Sequence, residues 1–444
     1  MTGKLYRALV MLAVVGWALG SSVRAGSEDP AYRHGGSPDA GSKDPAYVRD
    51  PAYAAGPAYD SVLSGYRAAL AKSGIAGSSL MIVRDGAIVA HATEGLQNVD
   101  TQEPVTADTI YHWASITKTF TGIAIMQLRD RGLLSLDDPV VKYVPELRLV
   151  HDPFGDVSQI RIRHMMSHSA GFRASTWPWG GDKPWHPFEP TSWEQLVAML
   201  PYTDVEFAPG SKYSYSNPGV IFLGRIIQLL SGDDYEVYVT KNILMPLGMH
   251  STFFDRAPYY LLPRRSHSYF RDDDGRREAR FDFDTGITVS NGGLNAPLTD
   301  MAKYVAFLTG AAATEKTEAK AAADLTDSAD KQKAAAVYET VLKRSSLEEM
   351  WTPQIRASEG EGVNGADSQA ALSFFVERYG NVELIGHSGD QNGFISHLYL
   401  HRPSRTAWLI SMNTDTTPSK DGSRPGSRDV DMAVRALILK YVIR

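Results

Sequence analysis

A serine and a lysine three residues apart, Ser115 and Lys118, form the most reactive pair that the chain offers. Apolar residues at helical spacing follow them, so both side chains should lie on one face of a helix that begins near Ser115. The lysine can take the proton of the serine hydroxyl if its amine is neutral, which requires a pKa well below the usual value of about 10.4. Free backbone N–H groups in a first helical turn would favour a developing negative charge. The spacing alone is also that of an ordinary helix start.

The same spacing recurs at Ser328 and Lys331, inside a segment over residues 311–345 that is rich in Ala, Lys, Glu and Asp. This segment has few large apolar side chains that could bury a lysine. The composition therefore favours a solvated helix or a mobile insertion, to which we assign no chemistry.

Two further motifs could complete a site around Ser115. In Tyr215-Ser216-Asn217 the phenol could relay protons, and the amide could hold a lysine or a substrate carbonyl. His387-Ser388-Gly389-Asp390 opens a strand-like region, whose edge N–H can complete an oxyanion hole because glycine permits a close approach. The similar triplet Tyr379-Gly380-Asn381 is better explained as a turn between strands.

Other residue types exclude whole classes of site. The chain has no cysteine, which rules out disulfides, thiolate zinc sites, iron–sulfur clusters and a cysteine nucleophile. His164 and His168 are four apart, as in some metal sites, but no glutamate lies between them and their context is apolar. We expect core histidines there, and no metal or cofactor. The tryptophans of the stretch Trp177-Pro178-Trp179, with Trp185 and Trp193, could form either a lid or ordinary packing.

Composition indicates a globular protein without a nucleic-acid partner. The 444 residues are 43% hydrophobic and 22% charged, which is ample for a core, and the net charge is −6. This acidic balance argues against a strongly basic nucleic-acid binder.

The N-terminal residues resemble an export signal followed by a spacer. Residues 1–25 carry Lys4 and Arg7, then a short apolar run, and then small residues at the expected signal-peptidase cleavage site. This is the layout of a signal peptide. The run is shorter than the roughly 20 residues of a spanning helix, although an uncleaved anchor is the alternative. We expect a periplasmic or secreted protein with no integral membrane domain. Residues 26–60 repeat Asp-Pro-Ala-Tyr and suggest a flexible tether or, alternatively, a wall- or partner-binding repeat.

Strand signals stand at both ends of the remaining chain. Ser78–Val83 and Ala87–Ala92 flank Asp85-Gly86, a strong hairpin signal. Near the other end, strand-like runs and a last amphipathic helix follow: Leu372–Glu377, Ile395–His401, Ala407–Asn413 and Val430–Ile443. The pattern predicts an α+β fold in which both chain ends build one antiparallel sheet flanked by helices. A mainly helical region over about residues 115–310 would meet the sheet at an active-site cleft.

Over residues 61–444 the chain resembles the serine β-lactamase and penicillin-binding protein superfamily, specifically its class C β-lactamase-like and D-alanyl-D-alanine carboxypeptidase branch. The resemblance rests on three motifs in order: Ser115-x-x-Lys118, Tyr215-x-Asn217 and His387-x-Gly389. It is supported by residues 162–171, by Asn291-Gly292-Gly293-Leu294 and by Gly386, which precedes His387.

The resemblance implies a role for each motif residue. Ser115 would be the acylated nucleophile, Lys118 its proton acceptor and Tyr215 a proton relay. Asn217, His387 and Gly389 would contact the substrate, and the backbone N–H groups of Ser115 and Asp390 would form the oxyanion hole. Class C β-lactamases usually carry lysine at the position of His387, so efficient β-lactam hydrolysis is not expected. A histidine there could meet a substrate carboxylate, either protonated or as a neutral donor.

The prediction is therefore an exported serine hydrolase that works through an acyl-enzyme without a cofactor. A D-Ala-D-Ala-type peptidase acting on a small molecule or a peptidoglycan stem is favoured. A carboxylesterase or β-lactamase on the same scaffold, or a non-catalytic cell-wall binding protein, is the alternative, and the oligomeric state is not predicted.

Overall fold

The computed structural model describes residues 56–174, 190–279, 281–310, 336–358 and 367–443. The predicted signal peptide, most of the predicted tether and most of the segment 311–345 lie outside these residues, as do Trp177, Trp179 and Trp185. The helix Pro57–Ser73 includes the last residues assigned to the tether. Residues 336–341 are helical, and both Val341 at the end of this helix and Leu342 after it are buried, so this end of the predicted solvated segment packs in the core.

The described strands form one large and two small sheets. In chain order they are β1 (Gly77–Arg84), β2 (Ala87–Asn98), β3 (Glu103–Pro104), β4 (Ile110–His112), β5 (Phe253–Phe254), β6 (Tyr269–Asp272), β7 (Gly275–Glu278), β8 (Leu294–Pro297), β9 (Ile355–Ser358), β10 (Asp367–Ala370), β11 (Phe375–Tyr379), β12 (Val382–Gln391), β13 (Phe394–His401), β14 (Thr406–Met412) and β15 (Thr414–Thr416). The large sheet has the order β3-β2-β1-β14-β13-β12-β11-β10-β9, and its strands pair in antiparallel fashion. The small sheets have the orders β15-β6-β7 and β4-β8-β5.

Both chain ends meet in the middle of the large sheet, which confirms the predicted α+β fold. β1 pairs with β14 so that Ser78 faces Met412. The β1–β2 hairpin turns at Asp85 and Gly86, whose φ angles of 51° and 78° are those of a type I′ turn, and this turn matches the twist of the strands it joins.

The sheet is buried on both faces, as the alternation along β1 shows. Leu80 and Ile82 pack with the helices Pro57–Ser73 and Ser427–Tyr441, whereas Met81 and Val83 belong to the larger core beneath the helical region. The helices described elsewhere in the chain are Thr117–Asp130, Ile162–Met166, Trp193–Met199, Asn217–Ser231, Tyr235–Val239, Val289–Gly292, Leu298–Thr309 and Arg344–Met350. No helix among the described residues is long and apolar enough to cross a membrane.

The predicted strand Leu372–Glu377 is wrong in its first half. Residues 371–374 form the tight connection between β10 and β11, in which the N–H of Ala371 donates to the carbonyl of Phe374. Ser373 takes a φ of 62°, which a strand does not permit. Leu372 and Phe374 are apolar because this connection is buried. Their side chains therefore produce the same apolar sequence pattern as a buried strand.

Candidate active site

Ser115 lies in a single 3₁₀ turn, Ala114–Ile116, directly before the helix Thr117–Asp130. Ala114 has a φ of 47°, an unfavourable angle for a residue with a side chain. The hydroxyl of Thr117 holds this conformation, because it donates to the Ala114 carbonyl at 2.6 Å and accepts from the N–H of Leu294 at 3.1 Å. The turn therefore fixes the backbone around Ser115, whose side chain remains partly exposed.

Lys118 is fully buried one turn later. Its Nζ lies 2.9 Å from the Oγ of Ser115 and 2.8 Å from the carbonyl oxygen of Asn291. Within the described parts of the chain, no carboxylate forms an ion pair with it. Burial therefore acts unopposed and lowers the pKa of Lys118 well below its usual range. The arrangement places an amine of lowered pKa beside a serine hydroxyl.

Tyr215 covers the lysine from the other side. Its ring centroid is 5.0 Å from the Nζ of Lys118. Burial raises the pKa of Tyr215, and the side chain of Ser115 works against this by hydrogen bonding to the phenol. The structure thus brings Tyr215 to Ser115 and Lys118, which lie about a hundred positions before it in the sequence.

His168 holds the loop that carries Tyr215. Its Nδ1 accepts a hydrogen bond from the N–H of Ser216 at 3.1 Å, and its ring lies 4.3 Å from the ring of Tyr215. The hydroxyl of Ser216 then caps the helix Asn217–Ser231 by accepting from the N–H of Gly219. Burial lowers the pKa of His168 well below its usual value, and Lys118 adds to this effect. Among the residues with described positions, no three metal-ligating side chains cluster.

His387 lies on β12 and is 4% exposed. Its ring packs 5.2 Å from Phe375 and 6.3 Å from Tyr215. Its Nδ1 is 2.7 Å from the carbonyl oxygen of Ser388, and its Nε2 is buried with no partner. Burial, followed by the charge of Lys118, lowers the pKa of His387 to about 3.

Gly389 brings the sheet against the turn that carries the serine. A Cβ atom at this position would lie 2.2 Å from the carbonyl oxygen of Trp113 and 2.5 Å from the Oγ of Ser396. β12 pairs with β13 as far as Gln391, but its pairing with β11 stops at Gly386. The edge of β12 beyond Gly386 therefore faces the Ser115 turn instead of another described strand.

Asp390 and Asn217 flank this centre. Asp390 belongs to the same edge, and its carboxylate forms an ion pair with Arg428 at the start of the last helix. Asn217 is the first residue of its helix, and its Oδ1 is buried without a hydrogen-bond partner.

Sequence reasoning missed three contributors to the site. The carbonyl of Asn291 binds Lys118, the imidazole of His168 positions the Tyr215 loop, and the ring of Phe375 covers His387. A backbone carbonyl has no residue-type signature, and His168 and Phe375 resemble ordinary core residues. Only the small-residue run that begins at Asn291 hinted at a close approach.

An antiparallel sheet between helical layers, with a serine one helical turn from a buried lysine at the sheet edge, defines the class of serine hydrolases built on the β-lactamase fold. The chain belongs to the Beta-lactamase family, whose model matches residues 64–430. The predicted resemblance and the predicted class of enzyme, a serine hydrolase, are both confirmed.

The chain aligns with parts of longer relatives. It is 30% identical over 200 residues to Protein flp of Staphylococcus aureus (strain NCTC 8325 / PS 47), an alignment that covers 43% of this chain and 37% of the staphylococcal protein. It is 25% identical over 365 residues to Beta-lactamase-like protein 2 of Dictyostelium discoideum, with 80% of this chain and 59% of that protein covered. The alignments thus span between about a third and three fifths of these relatives' lengths.

Solved structures share the fold over nearly the whole described chain. The octameric penicillin-binding protein homologue from Pyrococcus abyssi is 27% identical with a TM-score of 0.65, over 86% of this chain and 77% of that one. The D-amino acid amidase from Ochrobactrum anthropi SV3 is 20% identical with a TM-score of 0.66, over 87% and 99% of the two chains. A class C β-lactamase is 19% identical with a TM-score of 0.65, over 87% and 96%. The latter two likenesses concern the fold alone.

Proposed function

We propose that this protein hydrolyses esters or amides through an acyl-enzyme on Ser115. One observation carries the proposal: the Nζ of Lys118 is fully buried and lies 2.9 Å from the Oγ of Ser115. Because burial holds the pKa of Lys118 well below its usual range, the amine can accept the serine proton at a lower pH than an ordinary lysine could.

The proposed reaction has two steps, acylation of Ser115 and hydrolysis of the acyl-enzyme. Lys118 takes the proton of Ser115 while Oγ attacks the acyl carbon, and the bond to the leaving group then breaks. The proton passes from Lys118 through the phenol of Tyr215 to the leaving group, which departs neutral. A water molecule then attacks the ester carbon, loses a proton to the same groups and releases the acid, while Ser115 recovers its hydrogen.

The oxygen of the tetrahedral intermediate needs donors that are already in place. The N–H groups of Ser115 and Asp390 are proposed for this role, because the contact between Gly389 and Trp113 sets the edge of β12 beside the Ser115 turn. Asn217 is proposed to contact the acyl side of the substrate.

The finer proposal is an exported D-Ala-D-Ala-type peptidase that acts on peptide stems, supported by the three motifs and by the signal-like residues 1–25. A second candidate is a hydrolase of uncharged esters or amides. The neutral ring of His387 favours it, because this ring provides no positive charge for a substrate carboxylate.

The decisive experiment is labelling of Ser115. A fluorescent fluorophosphonate should modify the wild-type protein once, and peptide mass spectrometry should locate the adduct on Ser115. Ser115→Ala should abolish labelling and lower ester hydrolysis by roughly 10³- to 10⁶-fold. Ser328→Ala, which alters the other Ser-x-x-Lys match, should do neither. If Ser115→Ala kept more than about a tenth of the activity, far above that expected loss, the proposal would fail.

A further inference from the structure

The inference concerns the proton on His387, and it rests on the proposed function. A carbonyl oxygen can only accept a hydrogen bond, so the Nδ1 of His387, 2.7 Å from the Ser388 carbonyl, must carry a hydrogen. The ring is 4% exposed and stands next to Lys118, which disfavours a second proton. The imidazole is therefore neutral, and its Nε2 carries a lone pair.

The lone pair on Nε2 is buried and has no partner within the described chain. A buried acceptor without a partner destabilises the protein, and a ligand that donates to it removes this cost. The Oδ1 of Asn217 is a second buried acceptor without a partner. Both residues belong to the motifs around Ser115, so the walls of the site present acceptors.

A carboxylate would find little to pair with at this position. Burial lowers the pKa of Lys118 and of His168, which disfavours a positive charge on either, and the guanidinium of Arg428 is already paired with Asp390. A carboxylate would also meet the lone pair of Nε2, and two acceptors in a buried contact repel each other. A neutral N–H group would instead complete the hydrogen bond.

We propose that His387 is a hydrogen-bond-accepting specificity residue, and that the substrates preferred by this site present an uncharged N–H donor to its Nε2 instead of a carboxylate. A primary carboxamide or a continuing peptide N–H has this chemistry. The protein would therefore act within acyl-amide or blocked-peptide substrates in preference to peptides with a free C-terminal carboxylate. This inference favours the second candidate function, a hydrolase of uncharged amides or esters, over a D-Ala-D-Ala-type peptidase.

The test compares two ligands that differ only at this group: an N-acyl-D-Ala-D-Ala dipeptide and the same dipeptide ending in a carboxamide. Each is used to protect Ser115 from the fluorescent fluorophosphonate, so that binding is measured even where turnover is slow. The wild-type protein should bind the carboxamide about tenfold more tightly than the free carboxylate, a difference in affinity that one hydrogen bond can provide. His387→Phe, which keeps an aromatic ring but has no acceptor, should lose the preference. His387→Lys should reverse it by about tenfold, because an ammonium pairs with a carboxylate.

Three results would overturn the assignment. They are tighter binding of the free carboxylate by the wild-type protein, no protection by either ligand, and a selectivity that His387→Lys leaves unchanged. Failure of the proposed function looks different: the fluorophosphonate would then not modify Ser115 in the absence of either ligand.

Discussion

Gly389 lies against the carbonyl oxygen of Trp113, so closely that a methyl group on Gly389 would stand 2.2 Å from that oxygen. Trp113 is itself buried, and its indole N–H donates to the carbonyl of Ala296, so the oxygen cannot move away. This single contact sets the distance between the sheet edge and the turn that carries Ser115. The first prediction tests it directly.

Gly389→Ala should displace β12 from the Ser115 turn. Overpacking of this kind costs about 1–3 kcal/mol, which here would appear as a loss of about tenfold or more in the rate of fluorophosphonate labelling, because the oxyanion donors shift. Labelling reactions that are stopped after different times give the rate of labelling. Gly56→Ala is the matched control, since its added Cβ would only come within 4.0 Å of Tyr59. An unchanged rate in Gly389→Ala would show that the contact does not position the site.

The second prediction concerns the pH dependence of acylation. Lys118 must be neutral to accept a proton, so the rate should rise with pH as the lysine deprotonates. Because burial lowers the pKa of Lys118, the rise should be complete well below pH 10.4, where an ordinary lysine titrates. The labelling rate across pH 5 to about 10 gives the profile.

Lys118→Arg serves as the control for this profile, because arginine stays protonated and cannot accept the serine proton. We expect it to lose activity by about 10³-fold or more at every pH in the range. A midpoint near that of a free lysine in the wild-type protein would contradict the proposed base.

The third prediction separates the phenol of Tyr215 from its ring. Tyr215→Phe keeps the packing against His168 and Lys118 but removes the hydroxyl that would carry the proton to the leaving group. Hydrolysis of an amide should fall by about 10²- to 10⁴-fold, while an ester with a good leaving group should lose far less.

Tyr213→Phe is the matched control for this experiment, since the ring of Tyr213 also packs on His168. Its effect should be small on both substrates. Equal losses on amide and ester in Tyr215→Phe would assign the hydroxyl to the attack step or to structure, not to protonation of the leaving group.

The fourth prediction concerns stability in mild acid. Burial lowers the pKa of His168, so the folded protein does not bind a proton at pH values where the unfolded chain, with a pKa near 6.5, does. The free energy of unfolding should therefore fall as the pH drops below 6.5, by up to about 1.4 kcal/mol per pH unit from this residue. Urea unfolding between pH 7.5 and 5 measures it.

His168→Phe should remove that part of the slope. It should also destabilise the protein by about 1–3 kcal/mol at pH 7.5, because the N–H of Ser216 loses its acceptor. Comparison with the wild-type protein cancels other groups, including Asp255, whose raised pKa of about 7 acts in the opposite direction. The exposed His250 provides the control, since His250→Gln should leave the slope unchanged. Equal slopes in the wild type and His168→Phe would mean that His168 binds protons equally in the folded and unfolded states.

The sequence alone determined the general fold and the proximity of the proposed nucleophile to its proposed base. Ser115 and Lys118 are close because one helical turn makes them so, and the Asp85-Gly86 turn with its flanking strands needs only local geometry. The order of the motifs identified the family in advance, because each motif is a short segment whose residues are near one another in the chain.

Tertiary structure decided the features of the site that depend on long-range contacts. No local pattern could show that Asn291 would bind Lys118, that His168 would support the Tyr215 loop, or that Gly389 would touch Trp113, since these pairs meet only after the sheet closes. The same holds for the charge of His387: its residue type permits a cation, a donor or an acceptor. The carbonyl of Ser388 and the surrounding burial select the neutral acceptor, because a protonation state depends on the folded environment and not on the residue type.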